Sequence, residues 1–267
     1  MRNAGKHNVL GILIDAVDYD AATEFVFLAA REKRDCAISA LAVHGLMSGA
    51  VNREHKFRLN HFDLLVPDGQ PVRWALNLLY KVELVDRVYG PNLTLKICAR
   101  AATEGTPIYF YGSTTDTLVS LCENLSKTFP TLQVAGMEPS KFRRLTAEEK
   151  VELADRIRMS GASIVFVGLG CPKQEMFAFE FRDILKMPIL AVGAAFPFLA
   201  GKLAQAPSWM QAAGLEWLFR LCSEPRRLWR RYVYLNPLYM FLVLLQALRL
   251  SRFATDGQRP VEELSHG

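Results

Sequence analysis

The chain lacks several patterns that would assign it to a well-known class. The apolar run Leu238–Leu248 is shorter than the roughly 20 residues that a membrane-spanning helix needs. Its five cysteines form no CxxC pair and have no histidine at metal-ligand spacing, a pattern typical of reduced thiols rather than a zinc ribbon. No GxGxxG signature follows the first apolar run, around Gly11–Asp15, which argues against an NAD(P)-dependent enzyme. Internal repeats and low-complexity linkers are also missing.

The charge of the chain is unevenly distributed. Its 267 residues carry a net +5, with 51% hydrophobic and 22% charged residues, a composition typical of a globular protein. Residues 1–200 hold 23 basic and 22 acidic side chains, whereas residues 201–267 hold 9 and 5. We therefore expect the C-terminal part to face an anionic surface or a phosphate, and we predict no nucleic-acid partner.

Short apolar runs alternate with helix-like segments along residues 9–192, which predicts a mostly parallel sheet with helices on both faces, an α/β fold of Rossmann-like type. Ligands of such sheets bind at the carboxyl ends of the strands. The predicted strands are Val9–Ile14, Cys36–Val43, Asp63–Val66, Pro107–Tyr111, Gln133–Met137, Ile164–Val167 and Ile189–Val192. The predicted helices include Ala21–Arg34, Gly45–Phe57, Gln70–Leu79, Asn92–Glu104, Ala147–Ser160 and Met176–Leu185.

The most informative strand end is Ile164–Glu175, where two glycines separate an apolar strand from a helix. Gly168 and Gly170 allow a sharp turn, and the N–H groups of a following helix favour a bound phosphate. On this interpretation Lys173 neutralises charge and Gln174 contacts a sugar or a base. The alternative is an ordinary tight turn between a strand and a helix.

After Gly201 the alternation stops, and short helices interrupted by Pro207, Gly214 and Pro225 are predicted. Clustered arginines and tryptophans followed by Leu238–Leu248 favour a segment that lies on an anionic membrane. The alternative is a helical subdomain with solvated arginines. We therefore divide the chain into a catalytic core (residues 1–203), a membrane-associating appendage (204–250) and a flexible tail (251–267).

Seven sequence blocks, taken in order, resemble the WecG/TagA/CpsF family of bacterial glycosyltransferases from about Gly11 to Tyr232. The resemblance implies inverting transfer of a sugar from a UDP donor to a polyprenyl-diphosphate-linked saccharide at the cytoplasmic face of the membrane, without a metal or other cofactor. It leaves a homo-oligomer open. The blocks are Pro67–Gly69, Arg87–Leu93, Val167–Glu175, Gly193–Phe196, Leu199–Gly201, Ala206–Trp209, and Gly214–Arg220 with Glu224–Tyr232.

The resemblance also implies the roles of individual residues. Asp68 matches the catalytic base, although aspartate in Pro-Asp-Gly more often bonds its own backbone. Three appendage arginines, Arg220, Arg227 and Arg230, match residues credited with active-site work, and guanidinium groups suit a diphosphate. We assign Arg226 and Arg231 to membrane phospholipids. The predicted donor-binding residues are Arg87, Gly112, Gly136, Gly168, Gly170, Gln174 and Glu175.

Two departures from the family pattern bear on which sugar is transferred. Ala40 and Ala42 stand where relatives usually carry Thr-x-Asn, and Pro197 stands where they carry aspartate. The neighbouring His44 is a candidate acceptor contact or second acid/base, or else a buried, hydrogen-bonded side chain. This branch resembles exopolysaccharide enzymes that add glucose to a lipid-linked glucose. N-acetylmannosamine or its uronate is the alternative sugar.

Two further alternatives remain at this stage. Asp18-Tyr-Asp20 is a DxD motif of the kind that binds Mn²⁺ or Mg²⁺, but Asp20 is better placed as the N-cap of the first helix. A non-catalytic membrane adaptor would need only the basic appendage. The concentration of family blocks at strand ends argues against an adaptor.

Overall fold

The computed structural model describes residues 1–261, and within them all side chains except those of Arg227, Arg230 and Arg231. The strands are β1 (Asn3–Val9), β2 (Ile12–Val17), β3 (Cys36–Leu41), β4 (Leu64–Pro67), β5 (Ile108–Tyr111), β6 (Val134–Glu138), β7 (Ile164–Val167) and β8 (Pro188–Ala191). The helices are α1 (Tyr19–Arg31), α2 (Val43–Val51), α3 (Arg53–Asn60), α4 (Gln70–Tyr80), α5 (Gly90–Glu104), α6 (Thr115–Thr128), α7 (Ala147–Met159), α8 (Lys173–Leu185), α9 (Ala195–Leu199), α10 (Ser208–Ala212), α11 (Glu216–Ser223) and α12 (Pro225–Ala247).

The core is a six-stranded parallel sheet in the order β4-β3-β8-β7-β5-β6. Its strands are short and apolar because both faces are covered by helices. Alternate residues enter two separate cores: Ala37 of β3 and Val165 of β7 face one, Ile38 and Phe166 the other. The predicted α/β, Rossmann-like fold is confirmed, with six of its seven predicted strands.

The remaining prediction, that Val9–Ile14 is a single strand of the parallel sheet, is wrong. Leu10 and Gly11 both adopt positive φ angles, 55° and 87°, and form a tight turn between β1 and β2. These two strands pair with each other as an antiparallel hairpin outside the parallel sheet. The hairpin is tied to β4 through Asp15, whose carboxylate accepts a 2.7 Å hydrogen bond from the Leu65 N–H. An apolar run cannot by itself indicate which sheet it joins.

Two predictions about helix starts are also corrected. The segment predicted as one helix, Gly45–Phe57, is two helices, because Asn52 leaves the helical conformation and caps α3 through the His55 N–H. The N-cap of α1 is Asp18 rather than Asp20, since the Asp18 side chain accepts from the Ala21 N–H. At the start of α7, Thr146 and Glu149 form a capping box.

The appendage contains the predicted breaks at Pro207, Gly214 and Pro225, but its basic and apolar parts form one continuous helix, α12. Pro237 lies inside this helix. The buried Tyr239 of α12 donates a 2.9 Å hydrogen bond to the Pro71 carbonyl in α4. Within residues 1–261, no helix combines the length and the apolar character that crossing a bilayer requires.

The segment after α12 makes hydrogen bonds with the core. Asn8 and Asn60 donate side-chain N–H groups, each at 2.7 Å, to the carbonyls of Phe253 and Thr255. The Gln258 N–H donates to the Arg53 carbonyl at 3.0 Å. The division into core, appendage and flexible tail stays a prediction, and residues 262–267 lie outside the described range.

Replacing Tyr239 tests the docking of α12. We expect Tyr239→Phe to lower the free energy of unfolding by about 1 kcal/mol, because it removes one buried hydrogen bond and leaves the packing intact. Tyr234→Phe on the same helix is the matched control, since that side chain is 66% exposed. Chemical denaturation of both variants measures the difference. Equal stabilities would contradict the docking of α12 on α4.

Candidate active site

Two adjoining cavities lie at the carboxyl ends of the strands, where the core meets the appendage. The larger, about 630 Å³, is lined by loops that follow β3, β7 and β8. The smaller, about 100 Å³, lies between the N-terminal ends of α2 and α4 and the appendage. Ala42, Asp68, Glu216 and Arg220 line both cavities. Molecules bound in the two cavities would therefore come together at these four residues.

Asp68 follows β4 and belongs to the wall shared by the two cavities. Its Oδ1 accepts a 2.6 Å hydrogen bond from the Gly90 N–H, the first residue of α5. This partner is 22 residues away, so Asp68 is not a turn aspartate bonded only to its own neighbours. Burial raises the pKa of Asp68 to about 6, against the opposing charge of Arg87 and the Gly90 hydrogen bond. The carboxylate is thus ionised at neutral pH and unusually basic.

Arg87 joins the core to the appendage. The guanidinium is buried and donates to Glu216 Oε2 at 2.5 Å and to Gln211 Oε1 at 3.3 Å. It also stacks on Tyr89, 4.1 Å from the ring centroid, and Tyr89 OH donates to Glu216 Oε1 at 3.0 Å. Sequence reasoning singled out Arg87 but missed Glu216. The signal was available, since Glu216 is the acidic residue of the block Gly214–Arg220.

Arg220 is the appendage cation that the structure places at both cavities. It lies on α11, with its guanidinium carbon 5.7 Å from the Phe198 ring and a nitrogen 3.9 Å from Glu224. The side chains of Arg227 and Arg230 lie outside the described part of the chain, so their predicted roles are untested. The same holds for Arg231, whereas Arg226 is exposed in the first turn of α12.

The glycine turn after β7 lines the larger cavity. A Cβ on Gly168 would come within 2.4 Å of the Phe196 ring, and Gly170 has a φ of +80°. Gln174 Oε1 accepts from the Gly170 N–H at 3.1 Å, while its amide donates to Glu175 Oε1 at 2.9 Å. Gln174 therefore holds the turn in shape from a buried position. This contact gives a structural reason for a residue that we expected to contact sugar or base.

Gly112 and Gly136 line neither of the two cavities. A Cβ on Gly112 would come within 2.9 Å of Leu169, and its φ of +104° favours glycine. On Gly136 a Cβ would lie 2.5 Å from the Tyr109 ring. Both glycines have packing reasons, and their predicted donor contacts receive no support from the geometry.

The residues that depart from the family pattern lie at the cavities. Ala40, Ala42 and Pro197 line the larger one, and His44 lines the smaller one. The nearby His55 of α3 is deeply buried. Burial, with the charges of Arg58 and His44, lowers the pKa of His55 to about 4.

Residues 7–253 match the model of the glycosyl transferase WecG/TagA/CpsF family. The chain belongs to this family. It is a glycosyltransferase, and the family pairs a sugar-nucleotide donor with a lipid-linked acceptor. The resemblance found in the sequence is thereby confirmed over nearly the whole chain. Membership in an enzyme family argues against an adaptor without catalytic activity.

The raised pKa of Asp68 predicts a pH-dependent stability. The pKa of Asp68 is about 6 in the folded protein, above its ordinary value of 3.8. Ionisation of this buried carboxyl therefore lowers the free energy of unfolding as the pH rises through 6. We expect Asp68→Asn to unfold at a higher temperature than the parent protein at pH 8. The two proteins should converge below about pH 4, where Asp68 is protonated in both the folded and unfolded states.

Thermal melts across pH measure this difference. Asp20→Asn, on the exposed side of α1, is the matched control for loss of one negative charge. An Asp68→Asn protein less stable than its parent at pH 8 would show that attraction to Arg87 outweighs the cost of burial.

Proposed function

We propose that the protein is an inverting UDP-sugar transferase acting on a polyprenyl-diphosphate-linked saccharide in the synthesis of exopolysaccharide or another cell-surface glycan. The observation that carries this proposal is the position of Asp68 between two cavities of unequal size. A transferase needs two substrates to meet at one base. Asp68, Glu216 and Arg220 are the charged groups at that meeting point. Glu216 is already bonded to Arg87 and Tyr89, which leaves Asp68 as the candidate base.

The larger cavity suits the nucleotide donor. Its volume, its position at the strand ends and the glycine turn at α8 fit a phosphate-bearing ligand. Lys173 and Arg220 line it and supply positive charge for a diphosphate. The leaving UDP would develop negative charge beside Arg220, which would stabilise the transition state.

The smaller cavity suits the reacting end of the acceptor. Trp217, Tyr232 and Leu235 of the appendage form part of its lining, so it lies next to the segment that we assign to the membrane. In the proposed step, Asp68 takes the proton of the acceptor hydroxyl. The oxygen then attacks the anomeric carbon from the face opposite UDP, and the bond to the diphosphate breaks with inversion.

The proposal includes no divalent metal in the chemical step. The DxD residue Asp18 already accepts hydrogen bonds from the Arg2 and Ala21 N–H groups, at 2.6 and 2.8 Å. The charge of the diphosphate is left to arginine instead. For the donor we favour UDP-glucose and a β-1,4 linkage, because the segment from Ala40 to His44 resembles exopolysaccharide enzymes that add glucose to a lipid-linked glucose. The alternative is UDP-N-acetylmannosamine or its uronate, and a panel of UDP-sugars distinguishes them.

The appendage is proposed as a peripheral contact with the anionic cytoplasmic face of the membrane. Large apolar side chains remain exposed along it, next to the exposed Arg226. Such a mixture of rings, aliphatic groups and arginine is typical of interfacial helices. The exposed residues include Trp209, Trp217, Leu218, Trp229, Val233, Tyr234, Leu238, Met240, Phe241, Leu244, Leu248 and Leu250.

The role of Asp68 is tested by Asp68→Asn, which keeps the shape and the acceptor for the Gly90 N–H but removes the basicity. We expect turnover to fall on the order of 10²–10⁴-fold while UDP binding is retained. Transfer to a lipid-diphosphate monosaccharide and calorimetric titration with UDP measure the two quantities. Asp20→Asn serves as control, and near-normal turnover of Asp68→Asn would refute the assignment.

The two roles of the appendage are separated by a pair of arginine variants. We expect Arg220→Ala to reduce turnover on a soluble acceptor yet bind anionic liposomes normally. Arg226→Ala should keep normal turnover on a soluble acceptor but bind anionic liposomes more weakly. The reason is that an exposed charge attracts phospholipid, an attraction that salt screens. Truncation after Leu203 should abolish both properties. If the truncated protein transfers sugar to a soluble acceptor at full rate, the appendage is only an anchor.

A further inference from the structure

Three residues from distant parts of the chain converge beneath the glycine turn. They are His55 in α3, Cys171 in the turn itself and Glu175 in the first turn of α8. One ligand-type atom from each lies within 4.8 Å of the others. No metal-ligand spacing is visible along the chain, because His55 and Cys171 lie 116 positions apart. The parallel sheet brings them together by placing α3 and α8 side by side on one face.

Two members of this cluster, His55 and Glu175, are buried and incompletely satisfied, whereas Cys171 is half-buried and its thiol interacts with the Glu175 carboxylate. His55 is 2% exposed and Glu175 is 1% exposed. Among the described residues, neither ring nitrogen of His55 has a hydrogen-bond partner, nor does Glu175 Oε2. Glu175 Oε1, in contrast, accepts from Ser39 and Gln174. Leaving buried polar atoms unpaired costs about 1–3 kcal/mol each, so these groups call for a partner.

The chemistry of the three groups fits a zinc-class ion. Imidazole nitrogen, thiolate sulfur and carboxylate oxygen are the ligands of protein zinc sites. We propose that His55, Cys171 and Glu175 bind a zinc-class divalent cation, with a water molecule as the fourth ligand. Cys171 and Glu175 both line the larger cavity, which provides a path of entry.

Charge and geometry are consistent with this site. On binding, Cys171 releases its proton to solvent, and thiolate plus carboxylate then balance the two positive charges of the ion. Zinc ligands lie about 2.0–2.3 Å from the metal, so atoms now up to 4.8 Å apart need only small side-chain rotations. Arg58 is a neighbouring cation whose charge would repel the ion. The charge of Glu180 acts on Arg58 and partly offsets this repulsion.

The proposed ion has a structural effect rather than a catalytic one. It would link α3 to α8 through the turn that carries Gly168 and Gly170. Ligand binding to the folded state raises its stability by mass action. The site stands on these three residues alone and does not depend on the proposed transferase reaction.

Cobalt titration of the intact, chelator-stripped protein tests the site directly. Co²⁺ bound to a thiolate absorbs through sulfur-to-metal charge transfer, and we expect one equivalent to produce this band. Cys171→Ser should abolish the band and lower zinc affinity on the order of 100-fold or more. Zinc should also raise the unfolding temperature of the parent protein but not that of Cys171→Ser. Cys222→Ser and His61→Gln, at exposed positions, are the matched controls and should behave like the parent.

The outcomes are distinct. A folded parent protein without the band overturns the proposal, as does a band that survives in Cys171→Ser or disappears in Cys222→Ser. His55→Gln gives a second reading, and its circular dichroism shows whether it folds. If it does not fold, Cys171→Ser still decides the outcome. None of these measurements uses a sugar donor. A negative result for metal binding therefore leaves the proposed transferase function standing, and a protein without transferase activity could still show the cobalt band.

Discussion

The guanidinium of Arg87 is the group on which the organisation of this protein depends. It is buried where the core meets the appendage, bonded to Glu216 and close enough to Asp68 to affect its charge. Removing one partner of such a buried pair typically costs about 3–5 kcal/mol, because the other charge stays desolvated. Core and appendage are therefore held in one arrangement at the point where both cavities meet.

This contact explains how the proposed base and the segment proposed to contact the membrane can share one site. Glu216 fixes the start of α11, and the same helix places Arg220 at the two cavities. The burial that the appendage contributes to also raises the pKa of Asp68. An appendage that only anchored the protein would not need a half-buried acidic residue directed at the core.

Much of the fold could be predicted because its signals are local. Apolar runs such as Ile164–Val167 are short, fully buried strands, and proline and glycine mark the breaks of the appendage. The errors arose where distant contacts decide the outcome. The hairpin around Leu10 and the break at Asn52 depend on turns that apolar periodicity does not reveal.

The site was predictable to a similar extent. Asp68, Arg87 and Arg220 could be found because they lie in conspicuous blocks, and the structure brings them together. Glu216 was missed because an isolated acidic residue in an appendage gives no sign of its partner. The cluster of His55 with Cys171 could not be found from spacing, since the order of the strands brings it together.

The central claim is that Asp68 is the base and that its pKa is raised by burial where the core meets the appendage, with a further contribution from the charge of Glu216. The pH dependence of kcat/KM for transfer to a soluble acceptor tests this claim most directly. The parent enzyme should lose activity on the acid side with an apparent pKa of about 6. In Glu216→Gln this pKa should fall, because repulsion from Glu216 is removed and Arg87 is left to Asp68 alone. An acid limb that stays in place or moves to higher pH in Glu216→Gln would contradict the claim.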